Sequence, residues 1–222
     1  MHIKMKARTF FSASISAVLM LLAAFSANAQ TQATKATVYF TSEITPESLV
    51  KIYKALGKEA TGKVAVKIST GESAQSNHLR PELIGSLVHE VNGTIVECNT
   101  AYGGNRSNTA AHRRAIEQRG YGDIAEVDIM DADGYIDLPV TDTKYLQYNR
   151  VGSHLSNYDF LINLAHFKGH AMGGFGGVLK NQSIGIATPE GKTLIHTAGR
   201  YDDPRYVCLL YTSPSPRDYA AS

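Results

Sequence analysis

The feature that most constrains the fold of this chain is a regular alternation of short β-branched runs with segments of helical periodicity. The runs predicted to be strands are residues 36–41, 63–69, 94–99 and 125–130. The segments predicted to be helices are residues 45–57, 81–91 and 108–119. Parallel strands need helical crossovers of this length, and the helices then cover the sheet. The sequence therefore predicts an α/β fold, with a mostly parallel sheet and helices on both faces.

Local signals set the bounds of these helices. Pro46 suits the first helical position, and Gly57 suits the residue after a last turn. Leu83, Leu87 and Val91 are four residues apart and therefore share one helix face, which we expect to pack on the sheet.

The segment after the fourth strand is less regular. Residues 135–140 and 148–152 are predicted to be two short strands in an antiparallel excursion. The apolar run at 160–165 is predicted to be a central strand of the sheet.

Residues 1–29 are predicted to be a signal peptide. A start with three basic residues precedes an apolar stretch at 10–25, and the small residues Ala27 and Ala29 suit a signal peptidase. We therefore expect cleavage before Gln30, export, and a periplasmic mature protein. The alternative, an N-terminal membrane anchor, is less favoured because the apolar run is shorter than the ~20 residues of a spanning helix.

Export changes the meaning of the formal charge. The whole chain carries +2 at neutral pH, and loss of the three basic residues of the signal peptide leaves −1. The densest basic group, His112-Arg113-Arg114, lies within a predicted helix. Nucleic acid is therefore not expected as a partner. No apolar run after residue 30 is long enough to span a bilayer, so integral membrane association is not expected.

The last residues, 207–222, break the alternating pattern. The run VCLLYTSPSPRD has no strand or helix periodicity and resembles the translated adapter sequence found at the ends of unrelated environmental reads. We therefore predict a non-native tail at 207–222, after a native α/β domain at 30–206 that is incomplete at its C-terminus. A natural Ser/Pro-rich tail is the alternative.

Polar side chains follow the predicted strands at their carboxyl ends. Ligands of open parallel sheets bind beyond these ends, because loops from several strands converge there. Each such residue alone is also compatible with an ordinary polar loop, and for Asp131 a self-capping turn is the favoured role. The candidates for a shared site are His78, Asn99, Asp131, His166, Lys168 and His170.

His166, Lys168 and His170 alternate along the chain. In an extended segment all three share a face, and in a helix the two imidazoles still lie one turn apart. Two such histidines suit a divalent metal, and with Lys168 between them they also suit an anion or acid–base chemistry. A metal held by His166 and His170 needs further ligands from elsewhere, because a stable site has three or four.

A glycine-rich stretch follows these residues. Backbone N–H groups can approach an anion where side chains are absent, and Lys180 would supply the counter-charge. The stretch does not match the G-x-G-x-x-G phosphate loop, because Leu179 stands in place of the third glycine. The residues predicted to form an anion-binding turn are Gly173, Gly174, Gly176, Gly177 and Asn181.

The segment at 156–181 resembles the hallmark of the DUF362 family. A strand, SNYDFLINLA, is followed by the HFKGH sequence and then by the glycine-rich AMGGFGGVLKN sequence. The loop YGGNR at 102–106, with Thr109 and His112 downstream, is similar to a second family feature. The resemblance extends over about residues 37–205.

The resemblance implies an iron–sulfur or metal-associated protein. Many family members carry cysteine-rich ferredoxin-type motifs that bind [4Fe–4S] clusters. This sequence has no C-x-x-C-x-x-C run, and its Cys98 lies in a predicted buried strand, where thiols are usually inert. A cluster is therefore expected only if a missing C-terminal part supplies the cysteines.

Three hypotheses for the function follow. The first is an exported domain that binds a divalent metal or a small anionic ligand at the carboxyl edge of the sheet and works with a redox partner. The alternative is a non-catalytic binding or assembly module of the cell envelope, in which the glycines form only a tight turn. The third is an enzyme with Lys168 or a histidine as general base, although spacing identifies no complete acid–base pair.

Overall fold

The computed structural model describes residues 36–73, 75–170 and 174–203. The predicted signal peptide at 1–29 and the predicted tail at 207–222 lie outside these residues. The chain divides into two units, 1–38 and 39–222, and all the elements below belong to the second.

Five helices and eight strands make up this unit as far as it is described. The helices are α1 (Pro46–Ala55), α2 (Pro81–Glu90), α3 (Thr109–Gln118), α4 (Val178–Ser183) and α5 (Pro189–His196). The strands are β1 (Val64–Lys67), β2 (Thr94–Glu97), β3 (Val127–Ile129), β4 (Tyr135–Pro139), β5 (Tyr148–Gly152), β6 (Phe160–Asn163), β7 (Lys168–His170) and β8 (Gly174–Gly176). None of these helices is long and apolar enough to cross a membrane.

Four of the strands form a parallel sheet in the order β3-β2-β1-β6. Val66 of β1 pairs with Ile95 of β2 on one side and with Ile162 of β6 on the other. Helix α2 connects β1 to β2, and helix α3 connects β2 to β3. The predicted α/β fold with a mostly parallel sheet is therefore confirmed.

Two predicted strands differ from the structure. Residues 36–41 form no strand, and Phe40 is 87% exposed. A β-branched and aromatic run becomes a strand only where it pairs with a neighbour, and none of the described strand pairings includes residues 36–41. The run at 160–165, predicted to be central, is β6, which lies at the edge of the sheet as far as the described residues show. Its side chains are accordingly only half-buried.

The side chains of β1 alternate between two apolar layers. Val64 and Val66 pack in the layer that holds α1 and α2, whereas Ala65 packs in the opposite layer. The β4–β5 hairpin and the connection from α4 to α5 cover that second face through Val151 and Ile186. Since each fully buried aliphatic side chain contributes about 1.5–3 kcal/mol, both layers stabilise the sheet.

Polar caps determine where the helices begin. The Thr45 hydroxyl accepts a hydrogen bond from the N–H of Ser48 at 3.1 Å, and Pro46 follows it at the first helical position. The Asn108 side chain accepts a hydrogen bond from the N–H of Ala111 at 2.9 Å and begins α3. Because these caps satisfy otherwise unpaired N–H groups, the predicted helix starts agree with the structure.

The less regular segment forms the predicted antiparallel excursion. Strands β4 and β5 pair from Tyr135 opposite Gly152 to Pro139 opposite Tyr148. Arg150 donates two hydrogen bonds to the Asp137 carboxylate, at 2.9 and 3.0 Å. This bidentate pair joins the two strands of the hairpin on its exposed side.

A substitution at Gly152 tests the close contact between β5 and the end of β3. A Cβ atom at Gly152 would lie 2.5 Å from the backbone carbon of Met130, and backbone cannot move aside as a flexible side chain can. We expect Gly152→Ala to lower the free energy of unfolding by about 1–3 kcal/mol, measured by urea denaturation. The control is Gly122→Ala, because a Cβ atom there meets nothing within 4 Å. Equal stability of the two variants would contradict the contact.

A second test concerns His154, which joins β3 to the turn before β4. Its Nδ1 lies 2.8 Å from Asp128, and its Nε2 lies 2.8 Å from Asp133. The hydrogen bond with Asp128 raises the pKa of His154 above its ordinary value. The stabilisation that protonated His154 contributes is therefore complete at pH values below the ordinary histidine pKa. It is lost as the pH rises through the higher pKa of His154 in the folded state.

We expect urea midpoints of the wild type to fall as the pH rises above the ordinary histidine pKa of about 6.5, and this component to be absent in His154→Gln. The matched control is His89→Gln, because His89 contacts the carbonyl of Ile124 instead of a carboxylate. A His154→Gln variant with the same pH dependence as the wild type would disprove the assignment.

Candidate functional site

A cleft of about 110 Å³ lies at the carboxyl edge of the parallel sheet. Segments that follow β1, β2 and β6 line it, together with the β7–β8 hairpin, α4 and α5. This is the position that the topology of an open parallel sheet favours for a ligand. The cleft is smaller than the roughly 300–1,000 Å³ of pockets for drug-sized molecules, so it suits a small ion or molecule.

The structure brings many of the sequence-predicted site residues to this cleft. The predicted residues in its lining are His78, His166, Lys168, Gly176, Gly177, Lys180 and Asn181. The predicted residues that are described but do not line it are Asn99, Asp131, His170 and Gly174. Gly173 lies outside the described residues.

Asn99 and Asp131 hold strand ends together. The Asn99 N–H donates hydrogen bonds to both oxygens of the Asp131 carboxylate, at 3.0 and 3.2 Å. The Asn99 side chain donates to Thr109 Oγ1 at 3.0 Å. These bonds engage both side chains beyond β2 and β3, which explains why neither lines the cleft. Burial raises the pKa of Asp131.

His166 and His170 occupy different elements. His166 follows β6 in the cleft wall, whereas His170 ends strand β7. The extended conformation of Lys168–His170 agrees with one of the two predicted geometries. Over residues 36–73, 75–170 and 174–203, no group of three or more His, Cys, Asp or Glu side chains is arranged to hold a metal ion. A metal on His166 and His170 stays a prediction.

The floor of the cleft is a buried network of charged residues that was not predicted from the sequence. Glu97, at the end of β2, and Lys67, at the end of β1, are 2% and 1% exposed. Lys67 Nζ donates a hydrogen bond to Glu97 Oε1 at 2.7 Å, and an Arg106 guanidinium nitrogen donates to Glu97 Oε2 at 3.0 Å. One carboxylate therefore pairs with two cations from different parts of the chain.

Further buried groups complete this network. The Thr70 hydroxyl donates to Glu97 Oε2 at 3.2 Å, and His112 Nε2 lies 3.5 Å from the same oxygen. His112, from the basic group predicted on an ordinary helix, is fully buried, while Arg113 and Arg114 are exposed. The sequence did contain a signal for this network, because each of two apolar strand runs includes a charged residue, and a charge buried in a strand needs a partner.

The network controls the charge of Glu97. Burial by itself would raise the pKa of this carboxyl group, but Lys67, the hydrogen bond with His112 and the charge of Arg106 together hold the pKa well below its ordinary value. The carboxylate is therefore ionised at neutral pH and neutralises part of the surrounding positive charge.

Asn181 links this floor to the predicted glycine turn. Its side-chain oxygen accepts a hydrogen bond from Lys67 Nζ at 3.1 Å, and its amide donates to the Lys67 carbonyl at 3.0 Å. The same amide donates to Asn163 Oδ1 at 2.8 Å. Helix α4 is thereby fixed over the ends of β1 and β6, and the Asn181 side chain is engaged with the protein itself.

The walls of the cleft are cationic. The lining contains five Lys and Arg side chains and two carboxylates, Glu72 and Glu97. Glu72 and Glu97 already contact Arg106, and Glu97 also contacts Lys67. The remaining cationic side chains of the lining are Lys168, Lys180 and Lys192.

Three imidazoles also line the cleft, and all have lowered pKa values. Burial lowers the pKa of His78. Burial and then the charge of Lys168 lower that of His166. Burial, followed by Lys180, His170 and Lys192, lowers the pKa of His196 to about 4. The imidazoles are therefore mainly neutral at neutral pH and add donors rather than charge.

Two buried nitrogen atoms of the lining have no hydrogen-bond partner in the described part of the chain. They are Arg106 Nε and His166 Nδ1. Arg106 Nε always carries a hydrogen, so it is a donor without an acceptor. Such groups are rare in folded proteins and each one calls for an explanation.

The described residues do not fit the [4Fe–4S] cluster that the family resemblance implies. They contain one cysteine, Cys98, whose thiol donates to the Ile186 carbonyl at 3.2 Å. Burial raises the pKa of this thiol to about 12, so it is protonated at neutral pH. A cluster needs several thiolates, which this region of the chain does not supply.

The Glu97 network can be tested by its contribution to the free energy of unfolding. Glu97→Gln leaves Lys67 and Arg106 without their shared counter-charge, and we expect a loss of about 3–5 kcal/mol in the free energy of unfolding at pH 7. The wild type should lose stability as the pH falls below the ordinary glutamate pKa of about 4.3 and then through the lower pKa of Glu97 in the folded state. The Glu97→Gln variant should lack this pH-dependent loss.

Urea denaturation across this pH range measures both effects. The control is Glu117→Gln, because Glu117 is exposed on α3. A Glu97→Gln variant as stable as Glu117→Gln at pH 7 would show that the buried carboxylate is not required.

Comparison with known proteins identifies the family of this chain and nothing further. No curated protein and no solved structure matches the chain. The family model described as "Domain of unknown function (DUF362)" matches residues 64–213. This range contains every element from β1 to α5 and the whole lining of the cleft. The chain belongs to the DUF362 family.

Proposed function

We propose that this DUF362 domain binds a small anionic ligand in the cleft at the carboxyl edge of the sheet. The observation that carries the proposal is the composition of the lining, in which five cationic side chains face two carboxylates. Both carboxylates already contact Arg106 or Lys67, and cationic side chains outnumber carboxylates in the lining. This excess of positive charge favours an anion.

Lys168 and Lys180 form one wall of the proposed site. Lys168 comes from β7 and Lys180 from α4, and a Cβ atom at Gly176 would lie 3.7 Å from the side-chain stems of both. Gly176 therefore leaves room for two lysine side chains to lie close together. This arrangement assigns the predicted glycine turn a specific role, which is to admit the lysines.

The unpartnered donors support the same ligand class. Arg106 Nε is buried beside the cleft without an acceptor among the described residues. His166 Nδ1 is a second buried nitrogen without a hydrogen-bond partner among them. Phosphate and carboxylate groups accept hydrogen bonds from guanidinium and imidazole N–H groups. We therefore expect a ligand with one such group, in keeping with the small volume of the cleft.

Export and redox partnership belong to the same proposal. The N-terminal sequence supports a periplasmic location after cleavage before Gln30. A [4Fe–4S] cluster and a redox partner would enter only through cysteines other than Cys98.

Calorimetry with inorganic phosphate and with pyruvate tests the proposal. We expect a Lys168→Met/Lys180→Met variant to lose about tenfold or more in affinity for the anion that binds, because two of the cationic wall residues are gone. The control is Lys51→Met/Lys58→Met, which removes the same charge from exposed positions away from the cleft. Circular dichroism checks that both variants are folded.

The dependence on pH separates an anion from a metal. Anion binding should strengthen as the pH falls and the cleft histidines become protonated, whereas metal binding to imidazoles should weaken. Binding of Zn²⁺ that is abolished in His166→Ala/His170→Ala, without any anion affinity, would replace our proposal with the metal alternative. A stable oligomer that binds neither probe would favour the assembly module.

A further inference from the structure

Lys192 differs from the other buried cations of the cleft. It lies on α5, is 8% exposed and lines the cleft. Its ammonium group donates a hydrogen bond to the Ala187 carbonyl. Lys67 and Arg106 each form a salt bridge with a carboxylate, but Lys192 forms none with any described residue.

No carboxylate among the described residues is paired directly with Lys192. Cys98 lies nearby, and its thiol stays protonated because burial raises its pKa to about 12. Asp131 is also near, and its charge acts against the effect of burial on Lys192 without a salt bridge between the two. Lys67 adds a like charge that Glu97 partly offsets. Burying an unpaired ammonium ion is unfavourable, so this environment favours the neutral amine.

Burial lowers the pKa of Lys192 below its ordinary value, and the charge of Lys67 acts in the same direction, whereas Cys98, Asp131 and Glu97 act against it. A lysine that is desolvated beside another cation is the kind of amine that acts as a nucleophile toward carbonyl groups. Lys180, Lys192 and His196 all line the cleft, and the charges of both lysines lower the pKa of His196.

We propose that Lys192 is a nucleophilic lysine that forms a Schiff base with a small 2-oxo acid held in the cleft. This inference rests on the proposed function, because Lys168 and Lys180 bind the carboxylate of the same molecule. The carbonyl group next to that carboxylate then lies in the cleft that Lys192 also lines. A 2-oxo acid combines the negative charge that the lining favours with the electrophile that the amine needs.

The step balances without any other reactant. The neutral Nζ of Lys192 attacks the carbonyl carbon, and a C–N bond forms as the C–O double bond becomes single. The carbinolamine then loses its oxygen as water, which carries away both hydrogens of the amine. A proton from solvent converts the imine into the iminium ion. The carbon next to the iminium is thereby activated for bond cleavage or for proton loss.

Reductive trapping tests the inference on the purified full chain. The protein is incubated with pyruvate and sodium borohydride, which reduces the imine to a stable secondary amine, and the modified lysines are located by peptide mass spectrometry. We expect at least about tenfold more adduct on Lys192 than on the exposed Lys51. A Lys192→Arg variant should lack the adduct, because a guanidinium does not form the imine.

The wild-type map alone decides the matter if Lys192→Arg does not fold. No adduct, or equal labelling of Lys51 and Lys192, would overturn the inference. Labelling of Lys192 by acetone as strong as by pyruvate would retain the nucleophile and overturn the 2-oxo acid. Anion binding by calorimetry without an adduct would leave the proposed function standing and end this inference. An adduct without anion affinity would overturn the proposed function and with it the 2-oxo acid, and would leave only a nucleophilic Lys192.

Discussion

The structure depends on the burial of one carboxylate between two cations. Glu97 ends β2, Lys67 ends β1, and Arg106 comes from the loop that leads to α3. Removing these charges from water is costly, and the contacts offset that cost only because each partner is held at hydrogen-bond distance. The network therefore requires adjacent parallel strands in one register, and it shapes the floor of the cleft beyond them.

The positive charges of the cleft fall into three groups. Lys67 and Arg106 neutralise carboxylates and hold the floor, while Lys168 and Lys180 line the wall around Gly176. Lys192 stands apart, because it is buried without a carboxylate partner among the described residues. A site with this division can hold a ligand by charge and still keep one amine available for chemistry, since the two tasks fall on different side chains.

The β7–β8 hairpin explains how one short segment serves this cleft. Alternation along the strands directs Lys168 and Gly176 to one side and Gly169 and Phe175 to the other. Lys168 and Gly176 line the cleft, and the ring of Phe175 stacks with that of Phe167 at a centroid distance of 5.5 Å outside it. The aromatic pair thus stabilises the hairpin that positions the lysine.

The sequence by itself determined the features that arise from neighbouring residues. Thr45 and Asn108 predicted helix starts, and period-two and helical patterns predicted the parallel sheet. The carboxyl ends of its strands indicated His166 and Lys168 as site residues, and the glycine-rich stretch indicated Lys180. It did not determine the position of β6 at the sheet edge, because strand order depends on pairing between distant segments.

Tertiary structure alone decided which charges meet. Lys67 and Glu97 are 30 residues apart, and Lys67 and Asn181 are 114 residues apart, so no local pattern reveals their contact. It also decided that Lys192 is buried without a counter-charge, because that depends on what α5 packs against and not on the composition of α5. The physical reason is the same in each case: the energy of a buried charge depends on its neighbours in space, and these are set only when the whole domain has folded.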